Sequence, residues 1–174
     1  MQYSISSAIE ILQRTPATLS ALLGGVSDAW TLANEGPDTF SPFDVVGHLI
    51  HGEKTDWVAR AQRILEFGTD KTFDAYDRFA QYEASKGKSL QALLAEFAEL
   101  RKQNISWLQG LGLTDEDLDK KGMHPSLGEV TLRNLLATWV VHDLTHLAQV
   151  TRVMAKQYKD EMGPWPQYFR ILDF

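Results

Sequence analysis

Apolar residues recur along this chain at helical rather than alternating spacing, and four long stretches carry the pattern. Residues 4–24 place Ile5, Ile9, Leu12, Leu19, Leu22 and Leu23 on an amphipathic helix. Thr15-Pro16 interrupts it, because proline removes an amide donor, and predicts a kink or a fresh start capped by Thr15. Gly24-Gly25 ends this stretch. The second opens with Ser41-Pro42-Phe43-Asp44, an N-cap hydroxyl followed by proline at the first helical position and an acid in the first turn, and runs to Phe67 before Gly68. Residues 89–108 set Leu90, Leu93, Leu94, Phe97, Leu100, Asn104, Trp107 and Leu108 near a period of about 3.6 residues, and Gly110 and Gly112 stop them. Residues 131–158, capped by Thr131, line Leu132, Leu135, Leu136, Trp139, Val150, Val153 and Met154 along one face.

Two connections are long. Residues 68–88 carry Phe73, Tyr76, Phe79 and Tyr82, which predicts a segment that packs rather than dangles. A connection of that reach can cross the bundle and bring the third helix in parallel to the second. Residues 110–130 hold a short helix capped by Thr114 ahead of Asp115, Glu116 and Asp117, then the turn-rich run from Gly122 to Gly128. No internal repeat, low-complexity tract or strand pair with hairpin chemistry is visible, so the expectation is one all-α domain over residues 1–174.

Composition narrows the function classes. With 174 residues and 44% hydrophobic content the chain can bury a substantial core. Its net charge of -6 and the lack of a basic block argue against a nucleic-acid partner, whose binding draws on clustered Lys and Arg. Zero cysteines exclude disulfides, thiolate-ligated zinc and a nucleophilic thiol of the protein's own. Residues 1–7 show neither the charged nor the apolar region of a signal peptide, and no run approaches the ~20 apolar residues of a membrane span; a cytoplasmic location is the expectation.

Candidate chemistry lies in the histidines. On a wheel of about 100° per residue, His142 and His146 fall within roughly 60° of Trp139, on the core-facing side of the fourth helix. Their i,i+4 spacing stacks two imidazoles within reach of one ion at about 2.0 to 2.1 Å. A lone buried histidine is more often a hydrogen-bonded core residue than a ligand, but two stacked imidazoles resist that explanation. Asp143, about 40° from Trp139 on the other side, is placed to orient an imidazole, to act as the site's base, or to pair with a neighbouring helix. On the second helix, the apolar stripe of Val46, Ile50, Trp57, Ala61 and Ile64 leaves His48 about 160° away. His48 shares a narrower stripe with Val45, Gly52 and Ala59, while His51, Glu53 and Asp56 are neighbouring candidates. His124, before Pro125, suits a structural or solvent-facing role.

Two metal-site patterns fail. A di-iron bundle needs Glu-x-x-His on two helices, and no Glu stands three residues before any His. The run His142-Asp143-Leu144-Thr145-His146 has a shorter acid than the zincin motif and no third His following it.

The segments from Ser41 to Leu49, from Thr131 through His142 and His146 to Gln149, and from Gly163 to Tyr168 resemble the DinB superfamily, which includes YfiT-like metal-dependent hydrolases. The resemblance covers nearly the whole chain and implies a four-helix bundle in up-down-down-up order, with a long crossover between the second and third helices. It implies one divalent ion, nickel or zinc, held by His48, His142 and His146, and so selects His48 over His51. It also implies homodimers, and no DNA binding despite the superfamily's name. Relatives include transferases and isomerases that use bacillithiol, mycothiol or glutathione. The expected activity is therefore a metal-dependent enzyme that activates a small thiol co-substrate as nucleophile, consistent with a chain that has no cysteine. A hydrolase activating water at the same site, and a non-catalytic metal-binding dimer, are the alternatives. Because imidazole ligates only when neutral, metal affinity is expected to fall as pH drops through about 6.5.

Overall fold

The computed structural model describes residues 2–173. Ser4 caps α1 (Ile5–Leu12), and the chain bends at Gln13 before continuing as α2 (Arg14–Leu23). The break falls upstream of the expected cap at Thr15, which is buried inside α2. Pro16 becomes its third residue, where an amide donor has no intrahelical acceptor to lose. A short turn, α3 (Asp28–Thr31), leads to α4 (Pro42–Thr55). Here Ser41 and Asp44 form a reciprocal capping box, each side chain accepting from the other's amide at 3.2 and 2.9 Å.

The second stretch is two helices rather than one. At Asp56 the backbone leaves helical geometry (φ -111, ψ -78) and restarts as α5 (Trp57–Phe67), which Gly68 ends at φ 58. The following connection packs as expected and contains a helix of its own, α6 (Ala80–Ser85). Phe73 is buried, and α6 lies against α4 at Gly47, where an added Cβ would come within 2.5 Å of Gln81 Oε1 and Ser85 Oγ. Then come α7 (Leu90–Gly110), capped by Ser89, and α8 (Asp115–Leu118), capped by Thr114 in a capping box with Asp117.

A two-stranded antiparallel hairpin, β1 (Lys121–His124) and β2 (Gly128–Thr131), precedes α9 (Leu132–Lys156), although the sequence shows no hairpin pattern. Tertiary contacts hold it. Phe73 N–H donates to the Met123 carbonyl at 2.9 Å, and Gly122 lies so close to Ile64 and Phe73 that a Cβ would clash. His124 Nδ1 accepts from the Ser126 and Leu127 amides at 3.1 and 3.2 Å, a structural role within the turn.

Two apolar clusters fix the bundle's order. One joins Ile9 and Leu12 to Trp57, Ala61 and Ile64, to Ile105 and Leu108, and to Leu132, Leu136 and Trp139. The other joins Leu19 and Leu23 to Val45, Val46, Leu49 and Ile50, to Leu93, Leu94 and Phe97, and to Val150. Each cluster therefore pairs the start of the first and fourth helices with the end of the second and third, or the reverse. The first and fourth run one way and the second and third the other, an up-down-down-up four-helix bundle. Residues 68–89 make the crossover that this order requires. No helix among the described residues is long and apolar enough to cross a membrane.

Candidate metal centre

Between the two apolar clusters the helices carry polar side chains inward. His48, in the second turn of α4, meets His142 and His146 from successive turns of α9. His142 Nε2 lies 3.1 Å from both His48 Nε2 and His146 Nε2, and the three ligand atoms lie within 4.8 Å of one another. Donors placed tetrahedrally about 2.0 to 2.1 Å from one ion stand roughly 3.3 Å apart, so this spacing fits a divalent metal.

The second nitrogens support the same reading. His146 Nδ1 lies 2.8 Å from Gln149 Oε1; an amide oxygen only accepts, so the imidazole proton sits on Nδ1 and the Nε2 lone pair faces its neighbours. His48 Nδ1 lies 3.3 Å from the Tyr76 hydroxyl, itself withdrawn from water. His142 Nδ1 is buried with no hydrogen-bond partner among the described residues.

Burial disfavours imidazolium at all three positions. It lowers the His48 pKa from 6.5 to about 3, helped by the charges of His146, His51 and Arg78. It lowers His142 to about 2, helped by His146, His48 and Arg101. His146 is lowered as well, with Gln149 and Asp143 opposing the effect of burial. Proton competition for these nitrogens therefore begins well below the pH near 6.5 expected of free imidazole. Three neutral nitrogen donors with converging lone pairs and no anion among them form a site for a cation.

A second polar set lies beside the triad on the same helices. Arg101, from α7, is 1% exposed and bridges all four long helices. It donates to Leu12 O at 2.9 Å, to Glu53 Oε1 at 2.7 Å and to both oxygens of Asp143. Asn104 donates to Glu53 Oε2 at 2.9 Å, and Trp139 Nε1 to Glu53 Oε1 at 3.1 Å. Asp143 thus meets a neighbouring helix, as one of its expected roles had it, and makes no hydrogen bond to an imidazole among the described residues. Glu53 is engaged in the same cluster, and Asp56 pairs with Arg60 at 2.6 Å. His51 lies outside the triad, packed on Tyr76 and 3.4 Å from Thr55 Oγ1.

The triad opens to solvent through a cavity of ≈ 480 Å³ whose wall includes His48, His146, Phe40, Tyr76, Arg78 and Gln149. Arg152 and Glu35, paired at 2.6 Å, line it as well. Tyr76, Arg78, Gln149 and Arg101 escaped the reading of the sequence. The available signal was Phe97, Arg101, Asn104 and Leu108 in a single i,i+4,i+7,i+11 row, which puts a cation on an apolar face.

The fold and the triad together define a helical bundle with an all-histidine site suited to one divalent metal. The chain belongs to the DinB superfamily, whose sequence profile matches residues 11–150. Among solved structures it is similar to YfiT from Bacillus subtilis, with a TM-score of 0.77 and 24% identity over 90% of each chain. That protein is described as a probable metal-dependent hydrolase with an unusual four-helix bundle topology. No curated protein matches the sequence.

Proposed function

We propose that the protein is a metal-dependent enzyme in which His48, His142 and His146 hold one divalent ion, nickel or zinc, and a small thiol co-substrate attacks an electrophile in the adjoining cavity. The observation that carries this is the convergence of three Nε2 atoms, His142 standing 3.1 Å from each of the other two, beside a cavity that His48 and His146 line. The ion, when bound, would supply Lewis acidity that draws down the pKa of a thiol or water reaching it. Gln149 and Tyr76 orient the imidazoles through their second nitrogens. Burial keeps the imidazoles neutral, so none acts as a proton donor at ordinary pH.

The choice of thiol over water rests on where the carboxylates are. Glu35 is engaged by Arg152 and Lys156 and Asp143 by Arg101; Asp38 lines the cavity wall, but no carboxylate among the described residues hydrogen-bonds to the triad. Hydrolysis benefits from a base that takes the water's proton and passes it to the leaving group. A thiol, ordinarily with a pKa of about 8.5, ionises without such help once it meets a metal. The rival hydrolase reading is favoured by the description of YfiT. We also infer a homodimer, in keeping with the exposed aromatic side chains of the C-terminal tail.

Elemental analysis of protein purified without a nickel column tests the site: about one ion per chain is expected, lost in His142→Ala and in His146→Ala and kept in His124→Ala. Full occupancy in the double variant would falsify it. Turnover of electrophiles with and without added thiol then separates transferase from hydrolase.

A further inference from the structure

The wall of the triad's cavity holds two cations in different states. Arg152 is tied to Glu35, which it shares with Lys156, at 2.6 and 2.7 Å. Arg78 makes no hydrogen bond or ion pair among the described residues. Its guanidinium instead lies over two aromatic rings, 5.0 Å from the centroid of Phe79 and 5.7 Å from that of Phe40. Phe40 also packs on His48 with centroids 5.4 Å apart, so a single ring links the guanidinium to a ligand of the triad.

A guanidinium resting on aromatic faces is held in orientation while its N–H edge stays free, the geometry suited to a carboxylate fork. Asp38 lines the same wall and makes no ion pair with Arg78. Its carboxylate disfavours a second anionic group on the ligand.

We propose that Arg78 is a recognition site for a carboxylate on the small molecule that reacts at the triad, and that the preferred co-substrates are thiols bearing such a group. The inference rests on the thiol reading above for the identity of the ligand, but not for the existence of the anion subsite.

Cobalt(II)-loaded protein tests both parts, because a sulfur that reaches the ion produces a charge-transfer band. Titration with mercaptoacetate and 3-mercaptopropionate, against 2-mercaptoethanol, reads the contribution of the carboxylate. Propionate and succinate, followed by thermal shift, read the anion subsite without any thiol. Wild-type protein should bind one of the mercaptocarboxylates at least about tenfold more tightly than mercaptoethanol. In Arg78→Gln that ratio should fall towards one, with Arg78→Lys intermediate because it keeps the charge and loses the fork. The side chain is exposed, so these variants are expected to fold. A preference that persists in Arg78→Gln, or is absent from the wild type, overturns the assignment to Arg78. If no thiol perturbs the cobalt spectrum while propionate still stabilises the wild type and not Arg78→Gln, the anion subsite stands and the thiol reading falls.

Discussion

Two buried polar sets sit side by side on α4 and α9, and they differ in how they are satisfied. In Glu53, Arg101 and Asp143 the charges close on one another: each carboxylate oxygen accepts from Arg101, Asn104 or Trp139. In His48, His142 and His146 the partners run out, leaving three nitrogens facing each other beside a cavity that His48 and His146 line. Similar depth and the same helices thus produce opposite outcomes. A polar cluster whose carboxylate oxygens are all taken, with only Arg101 Nε left without a partner among the described residues, is scaffold, and one whose lone pairs converge without a partner is a site. The two are also complementary, since two carboxylates against one guanidinium leave a negative excess beside three neutral imidazoles, which favours a cation among them.

The most damaging way to break this contrast is to open the charged set. Arg101→Met leaves two buried carboxylates without a counter-charge, at a cost of about 3 to 5 kcal/mol, because removing one member of a buried ion pair exposes the full desolvation penalty of the other. Urea unfolding measures it. A loss under about 1 kcal/mol would show that water reaches the carboxylates and that the set is no scaffold.

Acid attacks the other set. In the unfolded chain these imidazoles take up protons below about 6.5, whereas folded His48 does so only near 3 and His142 near 2. The unfolded state therefore binds protons first as pH falls, and the metal-free protein should lose stability between about pH 6.5 and 3. At about 1.36 kcal/mol per unit, each of the two contributes a loss of roughly 2 kcal/mol by pH 5. His48→Gln should flatten the profile. An unchanged slope in that variant would mean that His48 is not held neutral by burial.

A smaller effect separates binding from stability. His146→Ala removes a ligand but no ion-pair partner, so without metal the variant should stay within about 1 kcal/mol of metal-free wild type, and it should no longer bind the ion. Calorimetry with and without zinc checks both halves at once.

How far these sets could be foreseen depended on whether their cause was local. Ser41 with Asp44, Ser89, Thr114 and Thr131 are caps written within four residues, and each starts its helix where the sequence puts it. The Asp56 break has no such mark, and a wheel drawn through residues 41–67 therefore mixed the phases of α4 and α5. That is one reason His48 appeared to point away from the core. The other is α6, which covers a side of α4 that an amphipathic reading leaves to water, so that α4 is buried around most of its circumference. The His142 and His146 pair was visible because its spacing is intrahelical. Arg101 was not, because its partners lie on three other helices.

The same test of satisfied against unsatisfied surface applies to the C-terminal tail. It folds back through Leu172, which is 6% exposed, yet Trp165 stays 61% exposed, Tyr168 71% and Phe169 48%. These rings form no part of the cavity wall, so they do not line the metal pocket. Removing the whole tail would also remove Leu172 from the core and confound any result. Replacing Trp165, Tyr168 and Phe169 together by Ser leaves that anchor in place. If the rings form the contact between two copies, light scattering should show the wild type at twice the chain mass and the triple variant at one, with helicity and metal content unaltered. Equal masses for the two proteins would mean that the tail makes no such contact and that any dimer uses another face.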